Sequence, residues 1–129
     1  MAHRLDTRDV LVAPSGRHGR GVFAGRSFEP DEVIEECPVL LVPADAITEL
    51  GLSGYCFEWD DEHCAIALGY GSLYNHSWRP NARYDHDHDA NVVTYTAVRR
   101  IEAGEEVTIN YSGDPDGDIQ LWFDEARSL

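Results

Sequence analysis

Residues 69–81, GYGSLYNHSWRPN, decide how the rest of this chain is read. The stretch sets Asn75, His76, Ser77 and Asn81 among three aromatics, Tyr70, Tyr74 and Trp78, directly after the apolar run 64–68. Pro80 keeps it from continuing as a regular helix or an inner strand. Asn75 and His76 would cost free energy if buried without partners, so backbone, water or a ligand has to satisfy them. Taken alone, Asn-His-Ser ahead of a proline reads as a turn in which Asn and Ser bond neighbouring backbone.

Two other stretches change that reading: Gly19-Arg20-Gly21 upstream and GEEVTINY at 104–111 downstream. In this order the three resemble the SET-domain protein lysine methyltransferases. The signatures of that family are a G-x-G near the N-terminus, an N-H-S-x-x-P-N segment and a G-E-E-[LV]-x-x-x-Y segment. The matches run from Ser15 to Tyr111 of a single domain spanning 1–129, with 112–129 left as an acidic tail. The fold that the resemblance implies is mainly β: a β-clip of short strands with little helix, its central and C-terminal motifs threaded into a pseudoknot.

The implied activity is methyl transfer from S-adenosylmethionine to a lysine side chain of a protein. Position by position, the resemblance implies that Gly19, Arg20 and Gly21 contact the cofactor, largely through backbone. Asn75 and His76 would hold its amino-acid and adenine parts. Tyr74 stands where the family carries a large apolar or aromatic residue; it is grouped with the cofactor-binding residues, and packing is its default role. Tyr111 matches the tyrosine whose hydroxyl orients the amine and the methyl group. Ile109, Tyr70 and Trp122 are expected along the substrate channel, and no metal is required. Without the resemblance, Gly-Arg-Gly is a hairpin turn, Glu105-Glu106 a solvated turn and Tyr111 an ordinary strand-end tyrosine. Two positions depart from the pattern: Trp78 stands where many members have Cys, and Asn110 where Asp is common.

Composition sets the class of partner. At 129 residues the chain supports one domain and one core, and 43% hydrophobic residues suffice to fold it. No apolar run approaches the roughly 20 residues that span a bilayer, and MAHRLDTRDV lacks the apolar core of a signal peptide. A soluble, cytoplasmic protein is expected, with no membrane partner. The formal net charge is −14, and all 10 Lys+Arg residues are Arg. Phosphate backbones need a basic footprint, so direct nucleic-acid binding is not expected, whereas a basic protein or peptide carrying a lysine would be steered toward the chain. A solvated acidic surface kept for solubility explains the same charge, and both readings stay open. The oligomeric state, a homodimer included, also stays open. Cys37, Cys56 and Cys64 have no C-x-x-C spacing, so they indicate neither a disulfide framework nor a zinc cage; reduced, buried thiols are expected. The absence of Cys-rich flanks resembles the small stand-alone bacterial and viral members.

Along the chain, short apolar runs at 10–13, 22–24, 33–37, 38–42, 55–59, 63–68, 82–86, 92–98 and 107–111 read as strands, and the polar turn at 60–62 makes a hairpin of its neighbours. Pro43 suits a helix start, and Gly51 suits a C′ position, so 44–50 is expected as a two-turn helix. In the tail, Trp122 and Phe123 supply apolar area for docking on the core or over a ligand. The alternation at 84–89, Tyr-Asp-His-Asp-His-Asp, raises a metal reading, because His86 and His88 share a strand face; a polar turn explains the run equally, and no further ligands are identified. Two rival functions are an inactive SET-fold module that binds protein, and a hydrolase built on His76 with Cys64 or Ser77. Nearby sequence positions do not make a triad, and no nucleophile signature accompanies them.

Overall fold

The computed structural model describes residues 9–16, 19–113 and 115. Among these residues nine strands form two sheets: β1 (Val10–Pro14), β2 (Arg20–Ala24), β3 (Val33–Pro43), β4 (Cys56–Glu58), β5 (His63–Ala67), β6 (Asn75–His76), β7 (Ala82–Asp87), β8 (Val92–Ala97) and β9 (Glu106–Ile109). One sheet runs β1-β2-β9-β6, and the other β4-β5-β3-β8-β7. The pairings are antiparallel except β6 with β9. That parallel pair brings the central motif against the C-terminal one.

The long strand β3 serves both halves of its sheet, and Pro38 marks the exchange. Residues 33–38 pair with β8, and residues 39–43 with β5. Pro38 has no N–H to donate, so it is tolerated where one ladder ends and the next begins. The Pro38 carbonyl accepts from Leu68 N–H at 2.9 Å. Near the start of β3 the register slips between Val33 and Glu35, a bulge, so Ile34 and Glu35 are buried at consecutive positions where a regular strand would alternate. Turns carry the expected chemistry. Asp60 Oδ1 accepts from Glu62 N–H (2.8 Å) and His63 N–H (2.7 Å), and Asp87 Oδ1 accepts from Asp89 N–H (3.1 Å) and Ala90 N–H (3.0 Å).

The core lies between the sheets, with Val22, Phe28, Tyr74, Val93, Tyr95, Ile101, Val107 and Ile109 buried. Each such side chain contributes about 1.5 to 3 kcal/mol on leaving water. Cys37 and Cys64 are buried as expected, whereas Cys56 is half-buried.

The expected helix at 44–50 is corrected. Only a 3-10 turn, Ala44–Ala46, forms, followed by hydrogen-bonded turns. The capping motif itself is present: Gly51 takes φ 70, Gly51 N–H donates to Thr48 O (3.1 Å) and Leu52 N–H to Ile47 O (3.2 Å). Ile47 is buried while Leu50 is exposed, so the segment buries too little apolar surface to nucleate an α-helix. The last strand also ends earlier than expected, at Ile109, because the chain then turns: Asn110 O accepts from Gly113 N–H at 2.9 Å, and Tyr111 N–H donates to the His76 ring instead of a neighbouring strand.

Candidate functional site

Parallel pairing sets Asn75 opposite Thr108 and His76 opposite Ile109, and Ser77 N–H extends the ladder to Ile109 O at 2.8 Å. Past this ladder Tyr111 is held at three points. Its N–H donates to His76 Nδ1 (3.0 Å), its hydroxyl donates to Tyr74 O (2.6 Å), and its carbonyl accepts from the Tyr84 hydroxyl (3.1 Å). Because Nδ1 accepts, the neutral His76 ring carries its proton on Nε2. Trp78, in place of the family's Cys, packs edge-on against His76 with centroids 4.3 Å apart.

A second set of contacts ties the glycine turn to the same place. Glu106 accepts from Ser15 Oγ at 2.9 Å and from Asn75 Nδ2 at 2.8 Å, and Asn75 Nδ2 also donates to Arg20 O at 3.1 Å. The Asn75 amide group is therefore a clamp between β2 and β9. Gly21 makes the clamp possible: a Cβ there would stand 2.3 Å from Glu106 Oε2 and 2.8 Å from Asn75 Nδ2. Gly19 answers a different need, a φ of 60 with open space beside it.

Asn81, given no role by the motif reading, is 1% exposed and fixes β9 from the other side. Its Nδ2 donates to Glu106 O (2.8 Å), and its Oδ1 accepts from Thr108 N–H (2.8 Å). Its place as the last residue of the N-H-S-x-x-P-N segment was the available signal. Glu105 completes the turn. Burial works against its charge, yet hydrogen bonds from Glu102 N–H, Asn81 and Arg99 hold its carboxyl below the usual range.

Tyr111 lines a cleft of about 850 Å³ together with Tyr74, Ile109, the 56–58 strand and residues 84–86. Ile109 and Tyr74 are each 1% exposed, so they form its wall from within the core, while Tyr111 is 37% exposed. Glu58 and Asp85 are exposed acids of the lining, Asp85 lying 3.2 Å from Arg83 Nε. Across the cleft, β4 and β7, opposite edges of one sheet, meet through rings: Phe57 with Tyr84 (4.9 Å) and Trp59 with His86 (4.8 Å) and His88 (4.4 Å). His86 and His88 thus stack on Trp59. Burial pushes the Tyr84 phenol up to about 12 and the Cys56 thiol, next to Cys64, up to about 11, so neither ionises near neutrality.

The hydrolase arrangement is not assembled. His76 Nδ1 is engaged by Tyr111 N–H, Ser77 Oγ accepts from Arg79 N–H (3.0 Å), and Cys64 lies on the other sheet. Tyr70, expected along the substrate channel, is not among the cleft-lining residues; it packs on the core with its N–H donating to Glu35 at 3.1 Å. Gly19 and Arg20 are exposed on the glycine turn, and Trp122 lies outside the described residues.

A SET domain family model matches residues 19–112. The chain is 34% identical over 121 residues to a Schizosaccharomyces pombe histone-lysine N-methyltransferase, H3 lysine-37 specific, covering 91% of this chain and 78% of that protein. It is 30% identical to human histone-lysine N-methyltransferase 2B, covering 79% of this chain but 4% of that much longer protein. Among solved structures, a candidate histone methyltransferase of Plasmodium falciparum superposes with a TM-score of 0.73 at 28% identity, over 92% of this chain and 99% of that one.

Proposed function

Because the chain belongs to the SET-domain family, we propose that the cleft beside Tyr111 receives the target lysine, and that the glycine turn with Asn75 and His76 holds the cofactor. The chain is an S-adenosylmethionine-dependent protein-lysine N-methyltransferase.

The residues present fit such a cofactor. Gly19 leaves open space at a positive φ, and the Arg20 side chain is exposed beside it. Asn75, bonded to the Arg20 carbonyl, seats His76 next to that turn. Bound there, S-adenosylmethionine supplies a methyl group on a positively charged sulfonium.

The chain's own residues prepare the amine. Exposed Glu58 at the cleft attracts a lysine ammonium, and the net charge of −14 adds long-range steering. Deeper in, Ile109 and Tyr74 exclude water, which favours the neutral amine over the ammonium; a lysine in water has a pKa of about 10.4. One observation carries the proposal: the Tyr111 hydroxyl commits its proton to Tyr74 O at 2.6 Å. Its oxygen then presents only lone pairs, and an amine N–H that donates to it is oriented for in-line attack. Such catalysis is largely positioning, with no acid or base required at the transferred carbon.

The test is transfer of label from S-adenosylmethionine to a basic peptide carrying one lysine, read by mass spectrometry. Label on the lysine Nζ, and none on the same peptide with Arg in its place, is the expected result. Cofactor binding without transfer to any lysine peptide or lysate protein would favour the inactive binding module.

A further inference from the structure

Glu35 is a carboxylate in the core, 7% exposed, and it is there because the β3 bulge turns it inward beside Ile34. Two of its contacts reach the central motif. One carboxylate oxygen accepts from the Tyr74 hydroxyl at 2.8 Å, and the other accepts from Tyr70 N–H at 3.1 Å. These contacts bracket the 3-10 turn Gly71–Leu73, the segment that delivers the chain into Asn75–His76. Tyr95 fixes the turn as well, because its hydroxyl donates to Gly71 O at 2.6 Å and its ring stacks on Tyr74 with centroids 4.2 Å apart. Gly71 has no slack: a Cβ there would meet Ala67 Cβ at 2.5 Å and Cys37 Sγ at 3.0 Å.

The far end of this assembly is the Tyr74 carbonyl, which receives the Tyr111 hydroxyl. Where that oxygen sits decides where the Tyr111 lone pairs point. A carboxylate is acceptor-only and can receive both donors at once; a neutral amide offers one acceptor and one donor and cannot reproduce the pair. Resting on the proposed role of Tyr111, we propose that Glu35 is a positioning residue for methyl transfer, acting through Tyr74 to hold the carbonyl that orients the Tyr111 hydroxyl.

The experiment compares wild type, Glu35→Gln, Tyr74→Phe, the double variant and Tyr111→Phe. Steady-state kcat and KM are measured with a basic lysine peptide, the cofactor Kd by calorimetry and the fold by thermal unfolding. Loss of positioning predicts that kcat falls about tenfold to a hundredfold in Glu35→Gln, with KM and cofactor Kd within about twofold of wild type. Tyr74→Phe should fall similarly, and the double variant no further than the lower single one, since both cut the same link. A folded Glu35→Gln with wild-type kcat, a change confined to KM, or multiplicative losses in the double variant would each overturn the inference. If Glu35→Gln does not fold, Tyr74→Phe decides: reduced kcat at unchanged KM supports the link, and wild-type kcat overturns it. Full activity in Tyr111→Phe would bring down the site reading and this inference together. An inactive Tyr111→Phe beside a fully active Glu35→Gln would bring down the inference alone.

Discussion

Gly21→Ala puts one methyl group into the contact that joins the glycine turn, the central motif and the last strand. The new Cβ would lie 2.3 Å from Glu106 Oε2 and 2.8 Å from Asn75 Nδ2, both far inside contact distance. Each atom ends a side chain, so the backbone need not move; Glu106 must swing away. Swinging breaks its bond from Asn75 and disturbs the one from Ser15. Hydrogen bonds to a charged group contribute about 1.5 to 3 kcal/mol each. Alanine returns about 0.4 to 1 kcal/mol by restricting the unfolded chain, because Gly21 is not at a positive φ. The net expectation is a loss of about 1 to 3 kcal/mol, read as a lower urea midpoint at unchanged m-value. Gly16→Ala, with nothing within 4 Å, is the control and should move little. A double-mutant cycle isolates the cause: in a Glu106→Ala background the same Gly21→Ala should cost clearly less, because only the 2.8 Å contact with Asn75 Nδ2 is left to relieve. Gly21→Ala within about 0.3 kcal/mol of wild type, or an equal cost in both backgrounds, would refute the clamp.

Three shorter predictions concern the cleft. Ile109 is at once core and cleft wall, so Ile109→Tyr should destabilise by about 1 to 3 kcal/mol; wild type is expected to add more than one methyl group, and the variant molecules that fold should stop at monomethyl-lysine, which mass spectrometry beside thermal unfolding checks. Burial first, then His88, depresses the His86 pKa, against a smaller opposing effect of Asp85. The native state therefore favours the neutral ring. Stability should be full above the ordinary histidine pKa of about 6.5 and decline as pH falls from there toward the depressed value, because the unfolded chain protonates first. His86→Phe should flatten that decline in urea midpoints; an unchanged slope would assign it to other groups. If the charge of −14 steers a basic substrate, the association rate should fall as salt rises through about 0.1 M, where screening reaches about 10 Å. A flat rate would leave solubility as the purpose of the charge.

Strands are legible because apolar runs between turn residues signal them directly, and the three motifs locate the site because parallel pairing of β6 with β9 brings two of them together. The segment 44–50 misleads because its end signal, Gly51, is real while the apolar stripe needed to hold a helix is missing. The roles of Gly21 and Asn75 are only half legible. Motif spacing marks them, but only the three-dimensional contact with Glu106 shows that Gly21 is small to make room for a clamp. Glu35 is invisible in the sequence, since a carboxylate in the Val-Ile-Glu-Glu-Cys run reads as solvent-facing and the bulge that buries it leaves no composition signal. Tyr70 is drawn to the channel by its proximity to the motif, yet its position beside the 3-10 turn Gly71–Leu73 sets its backbone against Glu35, and it does not line the cleft.

The central claim is that the Tyr111 hydroxyl, anchored on Tyr74 O, orients the lysine amine. Tyr111→Phe removes that one oxygen while leaving the N–H bond to His76 and the ring packing in place. Methyl transfer to a lysine peptide and cofactor Kd by calorimetry should be measured on the same preparation. The account predicts a kcat lowered by about 100-fold or more with cofactor Kd within about twofold, as for an interaction made mainly in the transition state. A Tyr111→Phe protein that binds the cofactor and methylates at the wild-type rate would contradict it.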